Sequence, residues 1–96
     1  MTSIDKRIYD GNRSKEVLEN EAFISVFTDT EQELITAWKN SPVRDHEGRE
    51  KIFLTLQMLN KLKQSLTTSL ETGKLAQMEI ERQKSLIDRA KQIWQE

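Results

Sequence analysis

The single histidine, His46, stands between Asp45 and Glu47. Carboxylate, imidazole and carboxylate in a row are residue types that can move a proton. The run follows a Ser-Pro turn and opens a long amphipathic stretch, so its ordinary role is a capped, solvated helix start. One histidine and no cysteine supply too few ligands for a zinc site. Glu16, Glu19, Glu31 and Glu33 raise the alternative of a di-metal carboxylate site. Such a site expects Glu-x-x-His pairs on facing helices, and the chain has none. No serine lies in a strand–turn–helix context and no glycine-rich loop could cradle a phosphate. The chain is expected to be no enzyme and to use no cofactor or metal.

Cations are the next candidates. Arg44, Arg49 and Lys51 lie beside the start of a predicted helix, where backbone N–H groups attract anions. They form a candidate anion-binding cluster for a phosphate or nucleotide. Asp45, Glu47 and Glu50 are interleaved with them and compete for the same charges. Lys61, Lys63 and Lys74 make a second, sparser basic zone, too thin for the many phosphate contacts of a DNA-binding surface. The formal net charge of −1 provides no overall field toward nucleic acid.

The strongest pattern is apolar. Ile52, Leu59, Leu66, Gly73, Ile80, Ile87 and Trp94 fall on one seven-residue spacing. That spacing places them on one stripe of a long helix, which needs something to press against. Phe53, Leu56, Leu62 and Leu70 widen the first half of the stripe, while Leu86 and Ile93 border the second half. Upstream, Val17, Ile24 and Trp38 share a seven-residue phase, with Phe27 and Leu34 on the same face.

These elements predict an all-α fold: an antiparallel helical hairpin with a long, projecting second helix, in a single domain over 1–96. Residues 1–12 read as a lead-in, either a short docked helix or a frayed tail, that ends at the Asp10-Gly11-Asn12 turn signal, with Ile4, Ile8 and Tyr9 as its docking side chains. The first helix spans about 13–40 and is expected either to continue or to bend near 28–30, where Thr28 with Glu31 and Thr30 with Glu33 match a capping box. Pro42 ends it, and residues 41–47 form the turn. Ser41 or Asp45 caps the second helix, which spans about 45–95, and Glu47 and Lys51 form an i,i+4 pair. Gly73 is either a joint in that helix or a point where another backbone passes closely.

At ~1.5 Å per residue, the first helix is about 40 Å long and the second about 75 Å. The first therefore reaches only about residue 70 of the second. Ile80, Ile87, Ala90 and Trp94 lie beyond that cover and are the candidate partner-binding residues. Trp94 is the expected anchor, since tryptophan is enriched at interface hot spots.

Apolar residues make up 35% of the chain and charged ones 32%, a balance that suits thin helices with one buried stripe. No apolar run approaches the ~20 residues that cross a bilayer, and the N-terminus lacks the apolar core of a secretory signal. A reducing, intracellular setting is the expectation, with no membrane partner.

Two stretches carry a resemblance. They are Glu33-Leu34-Ile35-Thr36-Ala37-Trp38-Lys39-Asn40-Ser41-Pro42-Val43-Arg44-Asp45-His46-Glu47-Gly48-Arg49-Glu50-Lys51 and Leu70-Glu71-Thr72-Gly73-Lys74-Leu75-Ala76. Over about residues 22–76 the chain resembles a group of short, uncharacterised proteins encoded by tailed bacteriophages. The resemblance implies a phage origin and a place in the host cytoplasm or the virion. It carries no activity and no functional residue. The expected function is a virion or assembly accessory that forms a homo-oligomer, or docks on a larger virion protein, through its long C-terminal helix. The alternatives are a small inhibitor that binds a host-defence protein or sequesters a signalling nucleotide, and a DNA-packaging accessory.

Overall fold

A computed structural model describes residues 3–95. Three helices follow in order: α1 Ser3–Glu19, α2 Glu21–Asn40 and α3 His46–Gln95. The described residues are all-α, and α2 and α3 form the expected antiparallel hairpin with α3 projecting beyond it. The molecule measures 79 × 24 × 21 Å, so its long dimension is the length of one helix of about 75 Å. α3 is one continuous helix through Gly73.

The turn is built from polar side chains with defined jobs. Ser41 closes α2 by donating its backbone N–H and its hydroxyl to the Trp38 carbonyl, at 3.2 and 2.6 Å. Asp45 opens α3, with its carboxylate accepting the Gly48 N–H at 3.0 Å. Arg49 then reaches back eight residues, donating to the Ser41 hydroxyl at 2.8 Å, while its guanidinium lies 3.9 Å from the centroid of the Trp38 ring. That stacked, hydrogen-bonded arginine clasps the two helices at the hairpin mouth. Further along, Phe27 is buried under the ammonium of Lys63, and Ile35 lies beside Phe53 and Leu56.

The N-terminal half departs from expectation in two places. Residues 3–12 are no lead-in: α1 runs straight through Asp10-Gly11-Asn12. No described glycine has positive φ, so the turn signal is overridden and Gly11 stays helical. The break lies at Asn20 rather than near 28–30, and Thr28 and Thr30 are inside α2. Asn20 is extended (φ −71°, ψ 122°), and its side chain accepts the Phe23 N–H at 2.9 Å. It is an N-cap with a preferred residue type, worth about 1 kcal/mol over alanine. This one extended residue rotates α2 relative to α1, so the Val17–Ile24 phase is not continued. Both residues are exposed, and the inward face of α2 runs through the half-buried Phe23, Leu34 and Trp38 and the buried Phe27.

Gly11 explains why α1 is where it is. A Cβ on Gly11 would sit 2.8 Å from the Gly73 Cα and 3.0 Å from the Ser69 carbonyl oxygen. A Cβ on Gly73 would sit 2.9 Å from both the Arg7 carbonyl oxygen and the Gly11 Cα. The two backbones touch, with Ser14 and Ala76 buried beside the crossing. Gly73 is thus the close-approach point, and the backbone that crosses it belongs to the same chain.

Candidate functional site

Gly11 lies against Ser69 and Gly73, Arg7 lies against Gly73, and α1 therefore runs antiparallel to α3. Counting up α1 from Gly11 places Ser3 level with about residue 80 of α3. Cover thus extends about ten residues further than the hairpin alone allows. Ile80 is half-buried, and this corrects its assignment as a free partner-binding residue. Every residue from Glu81 to Trp94 is exposed. The uncovered tail starts at 81 rather than near 73.

The tail is sharply amphipathic. Ile87 and Trp94 lie one turn-pair apart, Leu86 and Ile93 each precede them by one position, and Gln83 and Ala90 lie between. On a helix these six share one broad face, about three positions per two turns. Glu81, Arg82, Lys84, Ser85, Asp88, Arg89, Lys91 and Gln92 occupy the rest. Trp94 is 88% exposed and Ile93 73%. Large apolar side chains so bare, aligned on one face, distinguish this surface from the scattered exposed residues of any protein.

A second apolar area lies on the flank of the hairpin, where Met58, Leu59 and Leu62 are framed by Thr55, Lys61 and Ser65. The groove between α1 and α3 is more polar, with Asn12, Lys15, Lys74, Gln77 and Glu81 around Ile8. Among the described residues no group of histidine, cysteine, aspartate and glutamate could hold a metal. None of the described helices is long and apolar enough to cross a membrane.

The anion-binding candidates do not act as a set. Arg49 is committed to Trp38 and Ser41, and Lys51 pairs with Glu47 at 3.5 Å. Arg44 is exposed in the turn. His46 and Glu47 are also exposed, at the start of α3.

Where the cover ends, Glu79 accepts two hydrogen bonds from Arg82, at 2.9 and 3.2 Å, and a third from Gln83 at 3.2 Å. The Arg82 guanidinium holds the Glu79 carboxyl below its ordinary range, mainly through these hydrogen bonds. Glu79 is therefore fully ionised at neutral pH, and the contribution of this pairing fades only as pH falls below the usual carboxylate range.

Sequence reasoning located Ile87, Ala90 and Trp94 correctly as exposed tail residues. Leu86 and Ile93 were seen only as a border of the stripe, although they are equal members of the bare face. Their one-residue offset from Ile87 and Trp94 was the available signal.

The fold defines an all-α helical hairpin, with a third helix locked on by backbone contact and an amphipathic tail left over. Comparison with known protein families, with curated proteins and with solved structures returned no match to the chain.

Proposed function

We propose that this protein is a non-enzymatic helical interaction module that docks through the tail of α3, as a virion or assembly accessory of a tailed phage. The observation that carries the docking reading is the bare face of Leu86, Ile87, Ile93 and Trp94. A solitary helical segment of this length is marginal in water, and covering its apolar face is what stabilises such helices. Burying one such side chain contributes about 1.5–3 kcal/mol before ordering costs. The phage assignment rests on the resemblance over about residues 22–76. The nucleotide-sequestering alternative gains nothing from the geometry, because Arg49 and Lys51 are engaged within the chain.

The test is size fractionation of a lysate from the cells that naturally produce the protein. The parent chain is expected in a complex larger than one chain, and the Ile87→Asp/Trp94→Asp variant at lower mass with its hairpin intact by circular dichroism. A variant that fractionates like its parent would overturn the docking reading.

A further inference from the structure

We propose that α1 is a releasable strap: it lifts from α3 as a unit about Asn20, with the α2–α3 hairpin still shut, and bares the lane beneath it. This opening belongs to the free chain, so its failure is separate from any failure of the docking reading. Three observations support it.

The first is where α1 lies. Gly73, Ile80, Ile87 and Trp94 form one seven-residue row on α3, and Ser69, Ala76, Gln83 and Ala90 form the row beside it. α1 rests on the near half of both rows. Gly11 touches Ser69 and Gly73, Ala76 is buried and Ile80 is half-buried. The far half of the same two rows is the bare tail. A helix laid along the tail would run into the start of α1 at about residue 80. Lifting α1 lengthens the bare lane from about 20 Å to about 40 Å.

The second is what α1 contributes to the contact. Its buried residues are Gly11 and Ser14, while Ile4, Ile8 and Leu18 are half-buried and Tyr9 and Val17 are exposed. Touching backbones fix the position of a helix, but the drive to bury it scales with apolar area, and glycine and serine bring little. The ion pairs Arg13–Glu16, at 3.1 Å, and Lys15–Glu19, at 4.0 Å, run along α1 and are kept when it lifts. An element with few buried apolar groups is the kind that opens ahead of the rest.

The third is the joint. The Asn20 side chain accepts the Phe23 N–H at 2.9 Å, and its carbonyl accepts the Ile24 N–H at 3.0 Å. Both bonds lie on the α2 side, so the first turn of α2 stays satisfied when α1 swings away. α2 is separately tied to α3 through Arg49, Trp38 and Ser41.

The chain has no cysteine, so one introduced thiol reports without background. Ser14→Cys places it on the α1 side of the crossing and Ala76→Cys on the α3 side, both at buried positions. Each purified full-length variant is treated with a small thiol reagent over a urea series below the unfolding transition. Labelling at both sites should run about 100-fold or more faster than global unfolding allows, and rise with urea at about a third or less of the global slope. Gly11→Leu, which alters α1 alone, should speed Ala76→Cys labelling by about tenfold or more, with the amides of Phe27 and Trp38 keeping their protection in hydrogen exchange. Labelling that follows global unfolding at its full urea slope would overturn the strap. Fast labelling at Ser14→Cys with slow labelling at Ala76→Cys would also overturn it, since α1 would then fray in place. Loss of protection at Phe27 and Trp38 in the Gly11→Leu chain would show that the hairpin opens with α1, and would overturn its independence.

Discussion

Two helices lie on α3, and they are held by opposite means. α2 is held by large side chains: Phe27 buried under Lys63, and Trp38 stacked beneath Arg49. α1 is held by missing ones: Gly11 on Gly73, with Ser14 and Ala76 beside them. Helices joined through ordinary side chains keep their axes ~8–10 Å apart and can adjust rotamers when a residue changes. Backbones in contact have no such slack. The α2 contact should therefore tolerate changes of shape, and the α1 contact should tolerate no added atom.

The largest break is expected from Gly73→Leu. Its side chain would occupy the space of the Arg7 carbonyl and the Gly11 Cα. We expect α1 to lift off while α2 stays docked. Hydrogen exchange should show α1 amides losing protection with α2 unchanged, and urea unfolding should show a loss of about 3 kcal/mol or more. Uniform loss across α1 and α2 would mean that the two contacts form one cooperative unit.

Gly11→Ala is a gentler and more diagnostic change. In an ordinary helix interior, alanine in place of glycine stabilises by about 1 kcal/mol. Here the added Cβ meets backbone at 2.8 and 3.0 Å, so the sign should reverse. A net loss of about 1–3 kcal/mol is expected from chemical denaturation. A gain would show that the crossing opens freely.

The smallest effect belongs to the other contact. Phe27→Leu keeps an apolar group under Lys63, and α2 can resettle around it. A cost below about 1.5 kcal/mol is expected in the same denaturation series. A cost above that of Gly11→Ala would invert the contrast between the two contacts.

The same difference decides what the sequence made legible. Side-chain packing writes a periodic apolar pattern, and the hairpin of α2 on α3 followed from Trp38, Pro42 and the row from Ile52 to Leu66. Backbone packing writes small residues, which also signal turns. Gly11 between Asp10 and Asn12 therefore read as the end of a helix. Only its spatial neighbour, sixty-odd residues away, reveals that it is a contact. Asn20 carries no capping-box signature, because Phe23 stands where the box needs Glu or Gln, and the asparagine caps alone. Both misreadings moved the boundary of the bare tail: without α1 in place, Ile80 counted as exposed. The tail's amphipathic character was visible in Ile87 and Trp94, and its breadth was not, because Leu86 and Ile93 fall off the strict seven-residue row.

Trp38 and Trp94 are the chain's two tryptophans, one packed beside a guanidinium and the other almost wholly bare. An indole in water emits at longer wavelength than one in an apolar setting and is open to collisional quenchers. The protein is thus supplied with two intrinsic lamps at opposite ends of a 79 Å rod. One reports whether the hairpin is shut, and the other dims or shifts only when something settles on the tail. Both can be read on the native chain, with no label attached.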